Sequence, residues 1–254
     1  MAAVGQNYKQ ARQQDTDSEE YGHTGMSLGD ANTIVRAGFV RKVYGILAVQ
    51  LFVTTLCGAF IRFWSSQVFW RANMPLFYLC MFASLAFALP LICCRETAKK
   101  FPVNYLLLFG FTICEGVVVG IVTTTYTGDS VLMAVAATCV TFFALTAWAC
   151  FTKTDFTGYG AYLSAGLYGL MGLSFVIAIM SWFGPVPSAL NIMMALGGVL
   201  LFSMYTVYDT QLIMGGGNKA NQFEIDDYVI AALSIYLDII NLFLYLLQLF
   251  GSRD

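Results

Sequence analysis

An all-α integral membrane protein with seven transmembrane helices is the fold class this sequence predicts, and three observations predict it. Of 254 residues, 58% are apolar and only 11% charged, against about 45–50% and about 25% in soluble domains. Mean hydropathy is +0.70. The apolar residues gather in seven runs, each close to the roughly 17–25 residues a helix needs to cross hydrocarbon.

Residues 1–36 are rich in Gln, Asp, Glu, Ser and Gly without helical periodicity, and read as a disordered tail before a transmembrane domain at 37–250. No cleavable signal peptide is visible, so the first span is expected to act as the insertion signal. The spans fall near 43–63, 75–94, 103–125, 130–151, 160–183, 188–208 and 228–250. The sixth reaches Met214 if its helix continues through "TQLIM", which puts Asp209 inside it. Trp64, Trp70 and Trp182 stand at span ends, where amphipathic rings favour the interface. The connections at 127–129, 184–187 and 215–227 are short and force antiparallel neighbours. In the fifth span Ala161, Ala165 and Gly169 form a ridge of small residues four apart, which lets helices approach closely.

Orientation follows from Lys and Arg. Arg36, Arg41, Lys42, Arg95, Lys99, Lys100, Lys153 and Lys219 fall on one side, and Arg62, Arg71 and Arg253 on the other. The excess places the N-terminus in the cytosol. The C-terminus then lies across the membrane, unless the last segment is re-entrant.

Several function classes find no support. The net charge of −2 says little, since so few charges remain, but the lack of a basic run or an aromatic-interleaved basic patch gives nucleic acid no footing. The single histidine, His23, lies in the tail, which removes zinc or histidine chemistry from the membrane. The seven cysteines show neither metal-ligand nor disulfide spacing and read as small apolar packing residues. "GGGN" at 215–218 lacks the Lys-Ser/Thr of a phosphate-binding loop. No tightly bound cofactor is expected.

The acids inside the spans carry the chemistry. Ser234, Asp238, Asn241, Tyr245 and Gln248 recur at spacings of 4, 3, 4 and 3 on the last helix, one narrow polar stripe on an otherwise apolar perimeter. Such a line faces either a hydrated cavity or a dry interhelical seam. Asp209 lies about five residues (~7.5 Å) inside the sixth span if that span runs to Met214. Asp238 lies about ten residues (~15 Å) into the seventh, a depth comparable enough for the two to pair. Glu115 falls mid-span beside Gly116. A carboxylate at mid-membrane is costly and normally faces a pathway or a partner, yet no basic residue lies deep enough to neutralise any of the three. Two carboxylates brought together share a proton. The set therefore points to protonation, to a bound cation, or to a switch between them. Carboxylate, hydroxyl and amide oxygens suit Ca²⁺ without choosing it over H⁺ or Na⁺. Glu224, Asp226 and Asp227 precede the last helix, where negative charge offsets the dipole; the functional alternative is a cation-sensing site.

Three other readings can be weighed on the same residues. Two aspartates on consecutive late helices also describe intramembrane aspartyl proteases, but Asp238 sits in "YLDI" rather than GxGD, and no proline follows Pro187. A G-protein-coupled receptor would need the opposite orientation. A non-conducting membrane protein acting through partners is the stronger rival.

"FVRKVYGILAVQL" (39–51), "LLFGFTICEGVVVG" (107–120), "YDTQLI" (208–213) and "YVIAALSIYLDIINLFLYLLQLF" (228–250) resemble the Bax-inhibitor, or lifeguard, family, from about Val35 to Phe250. The first of these and "TKTDFTGYGA" (152–161) are most similar to its Golgi anti-apoptotic branch. The resemblance implies a bundle whose last helix is central and wrapped by the other six. It implies a Ca²⁺ leak from Golgi or endoplasmic reticulum that lowers store Ca²⁺ and inhibits apoptosis, with no enzymatic step. Apoptosis regulators or Ca²⁺-release channels are its implied partners. Asp209 and Asp238 match the family's pH latch, with Ca²⁺ as a transient ligand and permeant ion. Arg95 is a loose counterpart of an arginine that some relatives set against that latch. Glu115 has no counterpart in the bacterial pattern and, with Ser234 and Asn241, stands as a residue lining the pathway.

Overall fold

The computed structural model describes residues 33–64, 69–70, 73–215 and 223–252. Residues 1–32 of the expected tail, with His23, lie outside them, as do Arg71, Lys219 and Arg253. Among the described residues every element longer than an isolated bridge is a helix. Its order is α1 (Thr33–Trp64), α2 (Met74–Cys93), a short α3 (Arg95–Lys99), α4 (Val103–Thr123), α5 (Gly128–Phe151), a 3-10 turn (Thr157–Tyr159), α6 (Gly160–Phe183), α7 (Ser188–Ile213) and α8 (Tyr228–Phe250). All but α3 and the turn are long and apolar enough to cross a membrane, which gives seven spans.

The ends of these helices follow from local chemistry. Pro75 opens α2, where its missing N–H costs nothing. Pro90 lies in the last turn of α2, which stops at Cys93, and the chain turns at Cys94 into α3. Thr127 caps α5 by accepting from the Ser130 N–H at 3.3 Å. Beyond Ile213 the chain turns at Gly215, with φ of 82°, the left-handed conformation that glycine adopts without penalty. Nothing before that glycine interrupts the helix, so α7 runs past Tyr208 and holds Asp209 inside it. At the other end of the chain α1 starts at Thr33 rather than near residue 43, so Thr33 to Arg36 belong to a helix and not to the tail.

Burial orders the bundle. In α8, 67% of the apolar window is buried, against 6% in the helix that includes α6. The principal neighbours of α8 are α1, α4, α5 and α7, whereas α2 packs mainly on α4 and α6 on α7. The wrap by six helices that the resemblance implies is thus a shell of four, with α2 and α6 outside it. On α6, Tyr162, Tyr168 and Phe175 are each more than two-thirds exposed, a surface that only hydrocarbon would cover without cost. The ridge of Ala161, Ala165 and Gly169 lies on this outer face; a Cβ on Gly169 would meet nothing within 4 Å.

The close approach is elsewhere, between α1 and α4. A Cβ on Gly116 would stand 2.9 Å from Cβ of Cys57 and 3.2 Å from the Thr54 backbone, and one on Gly120 would stand 3.0 Å from Cα of Gly58. Overpacking of this kind costs about 1–3 kcal/mol. Gly120→Val should therefore lower the melting temperature of the purified protein by several degrees, while Gly169→Ala leaves it unchanged, as thermal unfolding in detergent would register.

Candidate functional site

Asp209 and Asp238 come together. Asp209 lies four residues before the end of α7, and Asp238 ten residues after the start of α8. Because the helices are antiparallel, their meeting sets the beginning of α8 about six residues, or ~9 Å, beyond the end of α7. Both carboxyls are buried and lie within hydrogen-bonding reach of each other. The Asp238 Oδ2 meets no N–H or O–H donor among the described residues. Thr206, one turn before Asp209, donates its proton to the Phe202 carbonyl at 2.8 Å and has none to offer the pair. Neither aspartate has a Lys, Arg or His partner among the described residues. A carboxyl can donate only when protonated. The contact therefore requires at least one of the two carboxyls to hold a proton.

The polar stripe of α8 faces α7 at two heights. One is Asp238. The other is Tyr245, whose ring stacks on Phe202 at 5.8 Å and covers Gly198 so closely that a Cβ there would come within 2.4 Å of it. Ser234 and Asn241 are half-buried, and the Asn241 side chain donates to the Leu237 carbonyl of its own helix at 2.8 Å. Glu115 is not part of the pair: it hydrogen-bonds Ser84 of α2.

Two carboxylates supply at most about four of the roughly 6–8 oxygens that Ca²⁺ takes. No cluster of three or more His, Cys, Asp or Glu exists among the described residues. A set this small, with water completing the shell, suits an ion in transit better than one held in place. A cleft of about 290 Å³, lined in part by Lys153, Asp155, Gln211 and Met214, opens beside the last turn of α7, at the end where Asp209 lies. Gln211 fixes its wall by accepting from the Phe156 N–H at 2.7 Å and donating to the Thr154 carbonyl at 2.9 Å.

Arg95 is placed away from the aspartates. It is exposed and pairs with Glu224 at 3.4 Å. Lys99 bonds Glu224 directly and stands 3.7 Å from Asp227, and the Asp227 Oδ2 accepts from the Glu224 N–H at 3.0 Å. Lys42 of α1 covers the Tyr228 ring at 3.2 Å. Glu224 and Asp227 therefore do more than offset a dipole: they clasp the overhanging start of α8 to α3, and their cation partners are lysine and arginine.

Sequence reasoning missed a second polar cluster. The Gln50 Nε2 donates to the Thr112 Oγ1 at 3.1 Å, and the Thr54 Oγ1 lies 2.7 Å from the Tyr236 hydroxyl. These bonds join α1, α4 and α8 on the side of α8 away from Asp209. The one available signal was Gln50, the single amide within the apolar run of α1; threonines and tyrosines are too common in spans to stand out.

Residues 36–254 match the family model described as Inhibitor of apoptosis-promoting Bax1. The chain is 33% identical over 226 residues to human Protein lifeguard 3, covering 87% of this chain and 70% of the relative. It is 36% identical over 225 residues to mouse Protein lifeguard 4, with 88% and 89% covered. To the Golgi anti-apoptotic protein of vaccinia virus (strain Lister) it is 34% identical over 226 residues, with 89% and 90% covered.

The clasp has a defined pH window. The hydrogen bond from Lys99, and then its charge, holds the Glu224 carboxyl below the usual carboxylate range despite partial burial. Burial alone would lower the Lys99 ammonium, but its bond to Glu224 and the charges of Asp227, Glu224 and Asp226 raise it overall. Stability from Glu224 is present above its unfolded value and fades as pH falls through the folded one. Stability from Lys99 fades only as pH rises past its raised value. Glu224→Gln should accordingly melt below wild type near neutral pH, and the gap should close on acidification through the carboxylate range. A thermal-melt series across pH checks this.

Proposed function

The chain belongs to the Bax-inhibitor family, and on that premise we propose that it is a pH-sensitive Ca²⁺ leak of Golgi or endoplasmic reticulum membranes that lowers store Ca²⁺ and restrains apoptosis. The names of the relatives support the anti-apoptotic role. The observation that carries the mechanism is the buried contact between Asp209 and Asp238 without a cationic partner among the described residues. While one proton is shared, α7 and α8 are held together. When it leaves, two carboxylates repel across a medium that screens them poorly, and only a cation or a separation of the helices relieves them. Both outcomes favour passage of Ca²⁺ along the α7–α8 seam. The cleft beside Gln211 supports water access from that end, which is the cytosolic one in the orientation that the excess of Lys and Arg favours. No enzymatic step enters this mechanism.

A second reading is a non-conducting protein that acts on apoptotic partners within the membrane. Its support is Tyr245, sealed on Gly198 and Phe202, which makes that part of the stripe a packing seam.

Ca²⁺ entry into dye-loaded liposomes holding the purified protein separates the two. Flux should rise as pH is raised between about 6 and 8, by at most about tenfold per pH unit, the limit for release of one proton. Asp209→Asn and Asp238→Asn, checked for folding, should lose that dependence. No flux above empty liposomes at any pH would instead support the partner-binding reading.

A further inference from the structure

The second polar cluster has more buried acceptors than hydroxyl protons to serve them. The Thr112 Oγ1 donates to the Leu108 carbonyl at 2.8 Å, so it can only accept from Gln50. The amide nitrogen accordingly faces Thr112 and its oxygen faces away. The Thr54 Oγ1 donates to the Gln50 carbonyl at 2.9 Å, so the Tyr236 hydroxyl must donate to Thr54. The hydroxyl protons of Thr54, Thr112 and Tyr236 are thus all committed. The Gln50 Oε1 has no partner among the described residues, although Gln50 and Tyr236 are both 0% exposed. A buried oxygen left in that state costs about 1–3 kcal/mol.

Glu115 adds the charge. It stands three residues after Thr112, one turn along the same side of α4, and within electrostatic reach of Tyr236. Its hydrogen-bond partner is Ser84, whose single proton also serves the Met81 carbonyl at 2.9 Å. No Lys, Arg or His pairs with it among the described residues. The titratable groups within electrostatic reach of it are Tyr236 of α8 and Cys114 on its own helix; Cys57 of α1 stands beside Tyr236 and Cys80 of α2 beside Cys114. None of these is a base.

We propose that Glu115, Gln50 and Tyr236 form a second cation site, on the α1–α4 side of α8, that takes a monovalent alkali cation. Its oxygens are hard, mostly neutral ligands, the kind such ions accept. One carboxylate balances one positive charge, whereas a divalent ion would leave an uncompensated charge in the hydrocarbon. The aspartate pair, with two carboxylates, is the complementary case. The second site is independent of whether the aspartates gate a leak.

The test is binding of radioactive sodium to the purified full chain in detergent by equilibrium dialysis near pH 8, with melting in sodium or potassium chloride against equal choline chloride. Wild type and Asp209→Asn should each bind about one sodium per chain and melt a few degrees higher in the alkali salt, as ligand linkage requires. Glu115→Gln and Gln50→Leu should lose both effects. Absence of sodium binding by the wild type would overturn the proposal whether or not either variant folds. So would a Glu115→Gln protein that still binds it.

Discussion

Desolvation of carboxyl groups without cationic partners is the constraint around which this bundle is arranged. Hydrocarbon offers no water to solvate Asp209, Asp238 or Glu115, and none of the basic residues described pairs with them. Each acid must find a proton, a cation or a polar neighbour inside the protein. Asp209 and Asp238 find each other, which fixes how far α8 slides past α7. That slide lifts the first turns of α8 clear of α7, and the clasp of Glu224 and Asp227 with Lys99 and Arg95 covers them.

One level of α8 is polar on two sides. Tyr236 and Asp238 are two residues apart, about 200° around a helix of 3.6 residues per turn. Asp238 therefore turns to α7 while Tyr236 turns to Thr54 of α1. A helix held by polar contacts on opposing faces at one height cannot leave one neighbour without loading the other. The buried position of α8 and its contacts with α1, α4, α5 and α7 make it the element through which a change at the aspartates would reach the rest of the bundle.

Much of this was legible in the sequence because a membrane imposes a length and a hydropathy on every crossing. The bounds of α6 and α8 match the apolar runs, and the unbroken run to Gly215 leaves Asp209 inside a helix. Periodicity also assigned Asp238 and Tyr245 to one face. It did not say which helix that face would meet, since spacing fixes an angle on one helix and not its neighbour. For the same reason the Gln50–Thr112 bond, the pairing of Arg95 with Glu224 and the shell of four around α8 emerged only with the fold. The small-residue ridge on α6 was a reading of the wrong close approach. Gly116 and Gly120 of α4 meet α1, and only the positions of neighbouring backbones distinguish a glycine that is filled from one that faces outward.

The most direct test of the shared proton is infrared difference spectroscopy of the protonated-carboxyl band as pH is raised. Wild type is compared with the Asp209→Asn, Asp238→Asn double variant, so that Glu115 cancels. The account predicts one protonated carboxyl per chain near neutral pH that is present in wild type, absent from the double variant and lost on alkalinisation. Two ionised carboxylates at neutral pH, with no band attributable to the pair, would contradict it.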